Sequence, residues 1–193
     1  MSAAAHHYTS TGLDSKKIAM WAFIGSECML FGSLISGYLV YKGRSVAGPT
    51  PDEILNIPVT TVSTFVLLTS SLCMVLALAG LVERNMTKAK LWTFLTALGG
   101  LVFLGFQYYE FSSFVHEGLG LTTNLFASTF YTLTGTHGTH VAIGVLILGT
   151  CWVQMLRGRF GPERADVLEI AGLYWHFVDV IWIVIFTLIY LLK

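Results

Sequence analysis

The chain has 193 residues with no formal net charge; 54% are hydrophobic and only 11% charged, for a mean hydropathy of +0.70. A soluble domain carries about 25% charged residues, and one soluble core of this size could not hide so much apolar surface. Without a basic excess there is also no electrostatic footprint for a nucleic acid.

Residues 1–17, MSAAAHHYTSTGLDSKK, form a polar tail that leads into a long apolar run. That run exceeds a signal-peptide core, so no cleaved leader is expected. A spanning helix needs about 20 mostly apolar residues, and five segments within residues 18–193 qualify. They are residues 18–41, interrupted only by Glu27; 57–82, with no charge; 91–111, with Glu110 near its end; 127–156, with no charge; and 168–192, with Glu169 and Asp179. The fold class is therefore an all-α integral membrane bundle of five helices. A closed barrel is excluded, because its strands would be shorter and would alternate. The first two connections, GRSVAGPTPDEILN and ERNMTKAK, suit helices that pack as sequential neighbours. No repeat and no separate soluble domain is visible.

Orientation follows from Lys and Arg. With the N-terminus inside, the inner segments carry Lys16, Lys17, Arg84, Lys88, Lys90, Arg157, Arg159 and Arg164. The outer ones carry only Lys42, Arg44 and Lys193. The expectation is N-terminus in and C-terminus out. Tyr38, Tyr41, Tyr108, Tyr109 and Tyr190 then fall at outer ends, and Trp92 and Trp152 at inner ends, as interfacial aromatics do. Cys28, Cys73 and Cys151 all lie in apolar runs with no CxxC pair, and read as three reduced, buried side chains.

Ionisable groups inside a span need a reason to be there. Glu27 lies ten residues beyond Lys17, about 15 Å into the membrane at 1.5 Å per residue. It reads either as a proton-handling or partner-facing acid, or as a protonated carboxyl that only fixes packing. In GTHGTH, His137 and His140 are three apart and share a helix face, with Gly135, Gly138 and Gly144 leaving room for a neighbouring helix. In YWHFVD, His176 and Asp179 repeat that spacing. These ligand types suit zinc, copper or iron; the plainer reading is a hydrogen-bond cluster locking the fourth helix to the fifth. Glu110, beside Gln107 and close to His116, reads as a water-exposed interfacial acid. No Ser–His–acid set, phosphate-cradling glycine loop or CxxCH is present, so any chemistry belongs to another chain.

Three blocks now carry a resemblance: QYYEFSSF, STFYTLTGTHGTHVAIGV and GLYWHFVDVIWIVIFTLIYL. They resemble the last three helices of subunit III of cytochrome c and quinol oxidases. IAMWAFIGSECMLFGSLISGYLVY resembles the helix that bears the family's buried acid, with Glu27 in its place. AGPTPDEILNIP and TFVLLTSS are similar to the five-helix bacterial versions, so the resemblance covers the chain from about Lys17 onward. It implies a non-catalytic accessory subunit of a haem-copper terminal oxidase in a prokaryotic plasma membrane. No cofactor would be bound in this chain, with haem and copper held by partner subunits. Subunit I would be the direct partner, with subunit II, possibly a small subunit IV, and phospholipids nearby. The subunit would support subunit I, lipid and oxygen access, and proton uptake. Glu27 would sit on the subunit I side, and His137, His140, His176 and Asp179 would form a structural polar cluster. The first two helices of the seven-helix form are absent. Arg157 or Arg159 is a candidate for a lipid phosphate, against solvated arginines flanking a helix. A stand-alone transporter or proton channel, which should show repeats and broken helices, and a membrane metalloenzyme are the alternative classes.

Overall fold

A computed structural model describes residues 14–42, 44 and 57–191. Most of the polar tail, most of the Gly- and Pro-rich first connection, and the last two residues lie outside the described residues. Five helices make up the fold: α1 (Ser15–Tyr41), α2 (Ile57–Val82), α3 (Met86–His116), α4 (Leu125–Leu156) and α5 (Ala165–Phe186). A 3-10 turn, Pro162–Arg164, precedes α5, and a π turn, Thr187–Leu191, extends it. No strand occurs among the described residues, and all five helices are long and apolar enough to cross a membrane.

Local signals set the ends. Asp14, Asn85 and Asn124 each cap a helix by accepting a backbone N–H, from Lys16 at 2.9 Å, Lys88 at 3.1 Å and Ala127 at 2.7 Å. Such caps satisfy donors that the first helical turn leaves open. The Asn85 cap starts α3 five residues before the apolar run does. At its other end α3 continues to His116 and stops where Gly118 takes a φ of +86°, a left-handed conformation cheap only for glycine. The hairpin between α2 and α3 is tight: Arg84 has a φ of +59°, and a Cβ on Gly80 would lie 2.9 Å from the Ala89 nitrogen.

Packing departs from chain order at one point. α2, α3, α4 and α5 form a bundle in which α2 packs on α3 and α5, and α4 on α3 and α5. α1 packs mainly on α4 and α5 rather than on α2, against the expectation from the first connection. Its inner turn is tied to the start of α5 by Lys16–Asp166 at 3.0 Å and Lys17–Glu169 at 2.7 Å. Only Phe31 and Tyr38 of α1 are buried.

The bundle core is closed by aromatic rings received on glycines. A Cβ on Gly100 of α3 would lie 2.5 Å from the Trp175 ring, and one on Gly144 of α4 would lie 2.7 Å from it. The indole of α5 therefore fills the gap between α3 and α4. Gly138 receives the Gln107 side chain, at 2.5 Å from a built Cβ, whereas Gly135 has nothing within 4 Å. Small residues thus admit side chains here rather than a close backbone crossing.

Two exposure expectations change. Cys28 is an exposed thiol on α1 while Cys73 and Cys151 are buried, all three free. Of the tyrosines at the outer helix ends, Tyr38, against Phe126, and Tyr190 are buried within the chain, whereas Tyr108 and Tyr109 are strongly exposed.

Candidate functional site

The polar groups inside the bundle fall into three places rather than one cluster. The first is the seam between α2 and α5. α2 has no charge, but it turns Thr60, Ser63, Thr64 and Ser70 inward, all buried. Trp175 Nε1 donates to Ser70 Oγ at 3.1 Å, Trp182 Nε1 donates to Thr64 Oγ1 at 2.9 Å, and Ser71 Oγ lies 2.6 Å from His176 Nδ1. From Ser70–Trp175 to Thr64–Trp182 the position falls on α2 as it rises on α5, so the two helices run antiparallel. Asp179 is 3% exposed, and neither carboxyl oxygen has a hydrogen-bond partner among the described residues. The sequence signal for this seam was the hydroxyl spacing of four and seven along α2, a helix that carries no charge.

The second place is Glu110. The sequence reading puts it in water at the end of the third helix. In the structure α3 runs on for six residues, about 9 Å, and Glu110 is only 8% exposed. Its Oε1 accepts from Thr60 Oγ1 at 2.7 Å and from Tyr190 OH at 3.0 Å. The π turn brings Tyr190 to this acid, so one carboxyl joins α2, α3 and the end of α5.

The third place is α4. His137 and His140 are three residues apart, so their directions differ by about 60°, enough to reach different neighbours. His137 is fully buried, with its ring packed against both Phe103 and Trp182, which also touch each other; its Nε2 lies 3.2 Å from the Val178 carbonyl and its Nδ1 has no partner among the described residues. His140 faces α1 instead, with Nε2 3.1 Å from Glu27 Oε2. His176 faces α2. The expected cluster of His137, His140, His176 and Asp179 is thereby distributed over three helix pairs. Among the described residues no group of three or more His, Cys, Asp or Glu is arranged to hold a metal ion.

Arg157 and Arg159 lie exposed at the C-terminal end of α4. With Arg164, whose Nη1 is 3.3 Å from Gln154 Oε1, they stand at one end of a groove of about 1080 Å³ between α3 and α4. Its other walls are apolar, including Phe94, Leu98, Leu101 and Leu146.

Comparison with known proteins places the chain in a family. A family model described as cytochrome c oxidase subunit III matches residues 2–193. Cytochrome c oxidase subunit 3 of Bacillus sp. (strain PS3) is 43% identical over 178 residues, covering 92% of this chain and 86% of that protein. Quinol oxidase subunit 3 of Bacillus subtilis (strain 168) is 38% identical, covering 91% and 86%. Cytochrome c oxidase subunit 3 of Thermostichus vulcanus is 37% identical, covering 93% and 88%. Nothing in these matches supports a stand-alone transporter or channel. With five spanning helices and a match along nearly its whole length, the chain is a multi-pass membrane protein that belongs to the cytochrome c oxidase subunit III family.

Proposed function

We propose that this chain is the accessory, redox-inert subunit of a haem-copper terminal oxidase in a prokaryotic plasma membrane, N-terminus inside and C-terminus outside. The observation that carries the reading is the match of residues 2–193 to subunit III. Haem and copper, dioxygen reduction and the coupled proton translocation belong to subunits I and II. This subunit stabilises subunit I and supports lipid and oxygen access and proton uptake.

The geometry suggests how. α1 is the helix least covered within the chain, with Trp21, Met29 and Val40 exposed along it; we take this face as the one laid against subunit I. Glu27, on the inner side of α1 against α4, is then the acid nearest that interface and the one through which proton uptake is supported. Subunit II and a small subunit IV complete the complex. Arg157 and Arg159, above an apolar groove, are placed to hold a lipid phosphate, since guanidinium suits phosphate geometry.

The test is to tag this chain, extract it from its native membrane in mild detergent and record the spectrum of what comes with it. A stoichiometric haem-bearing partner is expected. Recovery of the intact chain with no haem-bearing partner overturns the reading.

A further inference from the structure

The hydrogen bonds of His140 fix where its protons are. Nδ1 lies 2.8 Å from the Thr136 carbonyl oxygen. A carbonyl can only accept, so Nδ1 carries a hydrogen. Nε2 lies 3.1 Å from Glu27 Oε2. For a pair without net charge, that contact is a hydrogen bond in two cases: a carboxylic acid donating to the Nε2 lone pair, or an Nε2–H donating to a carboxylate. Each puts one proton on the line between Nε2 and Oε2, and each leaves the pair with no net charge. Any other proton count would leave a net charge inside an apolar span, where unpaired charge is expensive.

The surroundings hold this geometry. The Phe31 ring meets the imidazole edge-on with centroids 5.0 Å apart, and Tyr174 OH donates to the His140 carbonyl at 3.0 Å. The titratable group that faces the pair from another helix is Tyr174 on α5; His137 and Cys28 lie near it on the pair's own helices, and the lysine–acid pairs sit at the inner turn, about 15 Å away along α1. A mostly apolar recess of about 320 Å³, lined by Met20, Phe23 and Tyr174, opens beside the ring. His137, one turn earlier, shows the contrast. Its Nε2 points at the Val178 carbonyl, so there it is Nε2 that carries the hydrogen, and no acid is bonded to the ring.

We propose that Glu27 and His140 form one proton-sharing unit, in which His140 is a positioning residue. Thr136 locks its tautomer, and the ring then sets where the Glu27 carboxyl points and how its proton is held. Glu27 is thus not an isolated acid on α1 but half of a clasp between α1 and α4. The proposal rests on the reading of Glu27 as a functional acid only for its consequence on turnover.

The experiment is infrared difference spectroscopy on the purified whole oxidase, with Glu27→Gln identifying the Glu27 carboxyl bands. In His140→Phe those bands must change: an acid C=O band appears, or shifts to higher frequency as its hydrogen bond is lost. His140→Gln keeps a polar side chain of similar reach for the case where Phe prevents assembly, and must also move the bands, because an amide cannot take the proton. Glu27 bands identical in wild type and both His140 variants overturn the proposal. Turnover separates the two readings. Bands that follow His140, with Glu27→Gln leaving oxygen consumption unchanged, uphold the pair and remove the functional acid. Lost turnover in Glu27→Gln, with bands indifferent to His140, does the reverse.

Discussion

α1 and the α2–α5 bundle are built from the same kinds of residue but held together differently. The three glycines of α1, Gly25, Gly32 and Gly37, have nothing within 4 Å of a built Cβ, while Gly99, Gly100, Gly138 and Gly144 in the bundle are each met by a side chain closer than 3 Å. The bundle buries a continuous aromatic core; α1 buries two side chains and relies on a carboxyl–imidazole contact and two lysine–acid pairs. Apolar burial cannot drive helix association in lipid, where tails are as apolar as leucine; close packing and interhelical hydrogen bonds must do so. The bundle uses both. α1 uses chiefly the second, and leaves its apolar side for something else to cover.

Substitutions can break this contrast. The largest effect is expected at Gly144→Ala, which puts a methyl 2.7 Å from the Trp175 ring and should destabilise by about 1–3 kcal/mol through overpacking. Gly32→Ala should be neutral or stabilise the helix by up to about 1 kcal/mol. Thermal unfolding of the detergent-solubilised complex compares them. Equal damage at both sites would mean that α1 is packed as tightly in the complex as α4 is.

Next is Glu110→Ala, which removes the acceptor of both Thr60 and Tyr190 and leaves their hydroxyls buried, at about 1–3 kcal/mol. Glu110→Gln retains an acceptor oxygen and should lose less. An acid standing in water would show no difference from alanine, so the same melting assay decides its environment. Trp182→Phe removes the N–H given to Thr64, an interhelical bond worth about 1 kcal/mol in a membrane. Thr64 keeps its bond to the Thr60 carbonyl at 2.7 Å, which limits the loss. The smallest effect is Lys17→Ala. Its partner Glu169 is partly exposed, so the pair contributes about 0–1 kcal/mol and the difference from wild type should vanish at high salt.

The spans were legible in the sequence because hydrophobic length is a direct property of residue order: the expected 57–82 is α2 itself, and α1, α4 and α5 begin within three residues of expectation. α3 was read short, since its ends hold Lys88, Lys90, Ser112 and Ser113, which a hydrophobicity window rejects and a helix tolerates. The same error put Glu110 in water. Spacing placed His137 and His140 on one face, which holds to within about 60°, but that angle decides whether a ring meets α5 or α1. The partner of Glu27 was out of reach for a different reason: nothing in the order of residues says that α1 skips α2 to lie on α4. The hydroxyl ladder was present in the sequence as Thr64, Ser70 and Ser71, and is recognisable only once α5 supplies two indoles and an imidazole opposite.

The account stands or falls on whether this polypeptide carries a redox centre of its own. Native mass spectrometry of the whole oxidase, with stepwise release of subunits, asks that directly. The account predicts that this chain leaves at its polypeptide mass of 21.2 kDa, with lipid at most, while haem and copper stay with the remainder. Release of the chain with a haem or a metal ion bound in stoichiometric amount contradicts it.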